Sequence, residues 1–214
     1  NYNTVVGDEA GTAITTGGTN SFFGYSAGDA TTTGNSNTAV GRLSLSTNTT
    51  GSNNTALGTN TLYLATTATY NTAIGGSAGA AITTGVQNTL IGGLAGDALT
   101  DADYNVALGY SALSTNVLGS RSTAIGNNAL LTQNPASAAD MYNVGVGHNA
   151  GRAITTGANN TLIGGLAGDT LTDADYNTVV GTGALTTDTL GSKSTALGAY
   201  ALSNQNFTSA TDAH

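Results

Sequence analysis

Cysteine is absent from the 214 residues, which excludes a disulfide framework and any thiolate-held metal or redox centre. Basic residues are almost as scarce: Arg42, Arg121, Arg152 and Lys193 are the whole set, against a net charge of −8. Such a chain cannot neutralise a run of phosphates, so nucleic acid is not an expected partner. No apolar stretch approaches the length of a membrane span, and Asn1-Tyr2-Asn3 opens neither a basic region nor a signal-type hydrophobic run. No membrane insertion is expected in this segment. No sustained i, i+3, i+4 apolar pattern is present, and 31 glycines argue against any long helix. The single proline, Pro135, marks the one interruption of an otherwise regular text.

That regularity is a glycine beat. Glycine recurs at 7, 24, 41, 58, 75, 92, 109, 126, 147, 164, 181 and 198, seventeen residues apart except for twenty-one between Gly126 and Gly147. Each closes a segment such as Asn71-Thr72-Ala73-Ile74-Gly75 or Asn160-Thr161-Leu162-Ile163-Gly164. A period this short over the whole length predicts an all-β, parallel β-solenoid of twelve stacked coils, one elongated repeat domain spanning 1–214. At a strand spacing of ~4.8 Å the stack rises about 57 Å. The chain starts and stops nearly in phase with the repeat and carries no polar capping coil, so an excerpt of a longer fibre, or a unit stacked end to end, is expected.

Both residues before the glycine are usually apolar, as in Val5-Val6, Phe22-Phe23 and Leu90-Ile91, and on a strand they point to opposite faces. The large one next to the glycine is expected to fill the interior of the coil. The smaller one before it, often Ala and in one coil Gly145, is expected to pack where another backbone comes close. Shielding both faces calls for paired or trimeric chains.

Four residues after each beat the coils alternate in pairs, Gly11 and Gly28, Leu45 and Leu62, Gly79 and Gly96, Leu113 and Leu130, Gly151 and Gly168, Leu185 and Leu202. Three residues further on, the glycine-type coils carry Ile14, Thr31, Ile82, Leu99, Ile154 and Leu171, whereas the leucine-type coils turn mostly polar. Every coil but the second thus supplies one large aliphatic from one of two positions, as expected if either fills one core slot. Four coils form a higher unit, because Ala81-Ile82-Thr83-Thr84-Gly85 returns 72 residues later as Ala153-Ile154-Thr155-Thr156-Gly157. The four extra residues fall within 132–140 and are expected to bulge as a loop, with Asn204-Gln205-Asn206-Phe207-Thr208 beginning a similar one. Linkers such as Thr15-Thr16-Gly17 and Thr32-Thr33-Gly34 are read as turns that use their glycine for positive φ.

Segments such as Asn37-Thr38-Ala39-Val40-Gly41-Arg42-Leu43-Ser44-Leu45 and Ser122-Thr123-Ala124-Ile125-Gly126-Asn127-Asn128-Ala129-Leu130 resemble the head repeats of YadA-like trimeric autotransporter adhesins. They look equally like phage tail-fibre shaft repeats of the same type. The resemblance covers all twelve coils. It implies a left-handed parallel β-roll, three identical chains about one axis, an extracellular place on a virion or bacterial surface, and a role in attachment. The seventeen-residue coil is longer than the adhesin head repeat, which favours the fibre-shaft variety.

Asn3, Asn20, Asn37, Asn54, Asn71, Asn88, Asn105, Asn143, Asn160 and Asn177 occupy one position, replaced by Ser122 and Ser194, and are read as a structural amide ladder. A threonine row including Thr38, Thr55, Thr72 and Thr89 is read as strand chemistry, with ice binding as the alternative. The pairs Asp101/Asp103 and Asp173/Asp175, joined by Asp97 and Asp169, invite calcium or glycosidase chemistry, but capping of turns is the preferred reading; no metal and no cofactor is expected. His148 and His214 lie far apart in sequence, no serine shows a His/Asp constellation, and a rod of equal coils offers no obvious pocket, so the chain is not read as an enzyme. The candidate recognition surface is Tyr2, Tyr70, Tyr104, Tyr142 and Tyr176, each immediately before the repeat Asn or its equivalent and expected to be at least partly exposed. The composite expectation is a non-catalytic shaft and adhesion spacer, self-associated as a homotrimer or filament, with a host-surface receptor or glycan as outside partner. The alternative is a surface-binding solenoid that recognises glycan or ice through the Tyr or Thr rows.

Overall fold

A computed structural model of the chain describes residues 1–207, 209 and 211–212. Twelve three-residue strands, Thr4–Val6, Ser21–Phe23, Thr38–Val40, Thr55–Leu57, Thr72–Ile74, Thr89–Ile91, Val106–Leu108, Thr123–Ile125, Val144–Val146, Thr161–Ile163, Thr178–Val180 and Thr195–Leu197, form one parallel sheet in sequence order. The register places Thr55 beside Thr72, Ala56 beside Ala73 and Leu57 beside Ile74, and the same phase holds along the sheet. The fold is a parallel β-solenoid, all-β, with no helix among the described residues.

Hydrogen bonding between coils extends well beyond the strands. The Gly11 N–H donates to the Ala27 carbonyl (3.0 Å), Thr15 to Thr32 (3.0 Å), Ser26 to Asp8 (2.9 Å) and Ser36 to Gly18 (3.0 Å). A coil so short must reverse direction repeatedly while keeping its amides aimed along the stack. The chain does this with left-handed residues at recurrent positions. The residue before the repeat Asn or Ser is one of them, from Tyr70 (φ 60) to Arg121 (φ 62), and the second and fourth residues after the beat glycine are the others, as in Ser77 (φ 58) and Gly79 (φ 59).

The Thr-Thr-Gly turns therefore work differently from expectation. Gly17, Gly34 and Gly51 do not have positive φ; left-handed backbone falls to the residue two positions after each of them, Thr19, Ser36 and Asn53. These glycines sit in close quarters, where a Cβ on Gly34 would press on the Gly51 carbonyl oxygen and lie 3.0 Å from Asn48 Nδ2, although Ala68, Ala102 and Ala174 hold the same position in other coils. The beat glycines combine both demands. At Gly75 (φ +130) a Cβ would meet the Gly92 carbonyl carbon and oxygen at 2.6 Å, so the column admits no side chain.

The two residues before the beat glycine take opposite places from those expected. The middle residue of the strand points inward, with Ala39, Ala56, Ala73, Leu90, Ala107, Ala124, Leu162 and Val179 fully buried. The larger residue next to the glycine points outward, and Ile74, Leu108 and Ile163 keep 37%, 42% and 39% of their surface exposed. The reason is the thinness of the coil. Its interior is already filled from the opposite wall, so that even a methyl on Gly145 would come within 2.9 Å of Leu130 Cγ.

The single-slot reading of the paired coils agrees with the packing. Leu45, Leu62, Leu113, Leu130 and Leu185 are buried in leucine-type coils, and Ile82, Leu99, Ile154 and Leu171 in glycine-type coils. A Cβ on Gly79 would touch both Leu62 Cδ2 (3.0 Å) and Ile82 Cδ1 (3.1 Å), so the small residue is what lets the downstream Ile reach in. The second coil, which lacked an aliphatic in either position, is filled from the strand: a Cβ on Gly28 would collide with the Phe22 ring at 2.5 Å. Leu90 and Leu162 occupy the strand position of Phe22 in later groups, where Leu99 and Leu171 replace Thr31. The larger strand residue goes with the smaller partner.

The insertion does bulge. Residues 136–138 are exposed while Pro135 is buried, and the segment returns as a short strand, Ala139–Asp140, parallel to Gly119–Ser120. The same device recurs 72 residues later, where Thr211–Asp212 pairs with Gly191–Ser192 in the same register. The second loop anticipated from Asn204 therefore exists, although its Thr208 lies outside the described residues, as does His214.

Candidate functional site

The asparagine column is internal scaffold. Asn54, Asn71, Asn88, Asn105, Asn143 and Asn160 are buried, and each amide is used at both ends. Asn71 Nδ2 donates to the Gly85 carbonyl (2.8 Å) within its own coil, and Asn71 Oδ1 accepts the Asn88 N–H (2.9 Å) of the next. The ladder thus closes each coil and ties it to its neighbour, leaving little amide capacity for a ligand.

Tyrosines Tyr2, Tyr70, Tyr104, Tyr142 and Tyr176 form an exposed column on left-handed backbone, as their position before the Asn column requires. Only Tyr104 and Tyr142 are brought into one cluster, on either side of Arg121 in three successive coils. The Arg121 guanidinium lies over the Tyr104 ring, 4.6 Å from its centre. Its Nε pairs with Asp140 Oδ2 at 2.9 Å, and Tyr142 Oη donates to the same oxygen (3.1 Å). Tyr70 stands between Asn53 and Gln87 in the column, Tyr176 between Asn159 and Lys193, and Tyr2 at its first position.

Behind that cluster lies a groove of about 470 Å³ lined by Asp101, Asp103, Ser120, Ala138, Ala139 and Asp140. Strand register places Asp140 beside Ser120, and Ser120 follows Asp103 by one coil, so Asp103, Ser120 and Asp140 stack as a column. Asp103 Oδ1 accepts the Val86 N–H (2.7 Å), and the Asp103 N–H donates to Ser120 Oγ (3.0 Å). Asp101 accepts from the Thr84 hydroxyl. The reading of these aspartates as turn caps agrees with those contacts, and Asp173 and Asp175 repeat them with Thr156 and Ala158. Among the described residues no group of three or more His, Asp or Glu side chains is disposed to hold a metal ion.

Asp97 and Asp169 lie elsewhere, in the wall of the coil, with Asp29 at the equivalent position. One carboxylate oxygen of each is buried without a hydrogen-bond partner. Burial pushes all three carboxyls above their ordinary range, partly offset at Asp97 by the Ser114 hydroxyl and at Asp169 by the positive charge of Arg152. His148 is exposed directly after Gly147, and its main-chain carbonyl accepts the Leu166 N–H at 2.9 Å.

Sequence reasoning missed Asp140, Ser120 and the Arg121 platform. Asp140 sits inside the insertion, which shifts the phase by which columns are read; its alignment with Ser120 exists only because the loop re-enters the stack one residue out of step. The available signal was the 72-residue offset, which sets Asp140 against Asp212 and Arg121 against Lys193.

Fold and surface together define a repeat protein of the parallel β-solenoid class with a groove beside its inserted loop. Comparison with protein-family models, curated proteins and solved structures finds no match to this chain.

Proposed function

We propose that the chain is part of a non-catalytic fibre shaft, a rigid attachment spacer outside the cell or on a virion, in which three copies pack side by side. The observation that carries this reading is the outward column Val6, Phe23, Val40, Leu57, Ile74, Ile91, Leu108, Ile125, Val146, Ile163, Val180 and Leu197. Twelve large apolar side chains in line along one sheet face exceed the scattered exposure normal for a monomer. The face runs parallel to the stack, so a closed cyclic assembly covers it along its whole length with identical contacts. Coil-to-coil hydrogen bonding on every side supplies stiffness. The YadA-like and tail-fibre resemblance of the repeat points the same way.

The test is mass in solution by light scattering. The natural chain is expected at three chain masses, and Ile74→Asp with Ile125→Asp, both outward, at one. A natural chain that is monomeric at micromolar concentration overturns the proposal.

One observation favours the alternative of a surface-binding solenoid. The first residue of each strand, usually Thr, shares the outward face with the aliphatic column, so Thr55/Leu57, Thr72/Ile74 and Thr123/Ile125 make a regular row of hydroxyls and methyls. Such a face suits ice. Thermal hysteresis that is lost in Thr72→Asp, in a chain that stays monomeric, is the result expected of this second reading and not of the first.

A further inference from the structure

We propose that the loop-built groove at Asp103, Ser120 and Asp140 is a saccharide-binding subsite that takes a non-anionic sugar. Sugars are recognised by carboxylates that accept from neighbouring hydroxyls and by planar groups that cover an apolar ring face. Both are present. The groove wall is rich in acceptors: Asp103 spends one oxygen on the Val86 N–H, and Ser120 Oγ, which accepts from the Asp103 N–H, has its own proton to donate. Beside it, the Arg121 guanidinium lies over the Tyr104 ring as a planar platform, and Asp140 holds it by accepting from both Arg121 and the Tyr142 hydroxyl. These side chains are positioned before any ligand arrives, which lowers the ordering cost of binding.

Charge selects among sugars. Asp101, Asp103 and Asp140 face the groove, and Arg121 is paired to Asp140 alone, so uronates, sialylated and sulfated glycans are repelled. Hydroxyl and ammonium hydrogens suit the same acceptors. The volume of about 470 Å³ fits one or two sugar rings.

The residue types of the groove recur with the 72-residue unit. Seventy-two residues on, Asp173, Asp175, Ser192, Lys193 and Tyr176 stand in for Asp101, Asp103, Ser120, Arg121 and Tyr104, and Asp212 takes the register position of Asp140.

The inference deepens the attachment reading by naming its ligand class, and the two fail separately. Saturation-transfer NMR uses lactose, a glucosamine tetramer and a galacturonate tetramer as probes. Expected is transfer from the protein to lactose or the glucosamine tetramer, none to the galacturonate, and at least a tenfold weaker affinity in Asp140→Ala with Arg121→Ala. Asp140→Asn, which keeps the shape and removes the charge, is expected to weaken binding as well, with the oligomeric mass unchanged in both variants. Absence of transfer to both non-anionic probes, preference for galacturonate, or binding indifferent to the variants overturns the proposal. A monomeric chain that still binds sugar at this groove sinks the shaft reading and leaves the site.

Discussion

Two stretches of the rod solve one packing problem with different side chains. From Asn3 to Asn105 every coil closes on an Asn, buried in all but the first, whose Nδ2 reaches the carbonyl fourteen residues on, as Asn37 does to Gly51 (2.9 Å) and Asn105 to Gly119 (3.0 Å). In the loop-bearing coil the residue fourteen beyond position 122 lies in the bulge, so that carbonyl has left the column. An Asn there would bury an amide without an acceptor. Ser122 takes its place, and Gln133 from the far wall bridges it, its Oε1 facing Ser122 Oγ (3.1 Å) and accepting from Asn143 Nδ2 (2.9 Å). Ser194 and Gln205 meet at the same offset of eleven residues, with Gln205 Nε2 donating to Ser194 Oγ (3.1 Å). The backbone columns are common to both regions, whereas the side-chain column is negotiable wherever a loop moves the acceptor.

The largest effect is therefore expected where both regions depend on the same atoms. Gly75→Ala places a methyl 2.6 Å from the Gly92 carbonyl at a φ of +130, and separating two coils is expected to cost on the order of 3–5 kcal/mol. Gly76→Ala, one residue along, meets nothing within 4 Å. It is expected to be neutral or to stabilise by up to about 1 kcal/mol through the unfolded chain. Urea midpoints of the two variants measure the contrast, and equal midpoints would mean that the glycine column does not set the coil spacing.

Next in size is the exchange of the two closures. Asn71→Ser leaves the Gly85 carbonyl and the Asn88 N–H without their partner, and Ser122→Asn buries an amide with no carbonyl to meet; each is expected to cost about 1–3 kcal/mol. If either swap is silent in thermal melts, the columns are interchangeable and the loop has no part in the choice of Ser122. Gln133→Ala is expected to cost less, about 1 kcal/mol, because its Nε2 is already buried without a partner and its loss offsets part of the two bonds removed.

Much of this was legible in the sequence because a repeat reports every position twelve times. The coil length, the amide ladder, the paired coil types and the exposed tyrosine column follow from phase alone. Phase does not say which of two neighbouring apolar residues faces inward, and there the size argument failed: the coil is too thin to hold Ile74 in the place of Ala73, and volume in the interior is shared with the opposite wall. Nor does phase survive an insertion. Asp140 and the groove it completes were hidden because the loop rejoins the stack out of step, and Phe22 escaped notice as core filler because its coil departs from both patterns at once.

The smallest effect belongs to a feature that both regions share. Asp29, Asp97 and Asp169 sit in the second glycine-type coil of each group, each with one carboxylate oxygen buried and unpaired, and burial raises their carboxyls above the ordinary range. The folded chain thus binds these protons more tightly than the unfolded chain. Their contribution is fully present below the unfolded carboxyl range and is lost as pH rises through the raised folded value, so at neutral pH each charge opposes the stack. Partial exposure screens the penalty. Asp97→Asn is expected to raise the melting temperature at pH 7 by about 1–2 °C and to flatten its decline between acid and neutral pH. Asp8→Asn removes the same charge from an exposed site. If both variants flatten the profile equally, the net negative charge of the rod, and not burial in the coil wall, governs its response to acid.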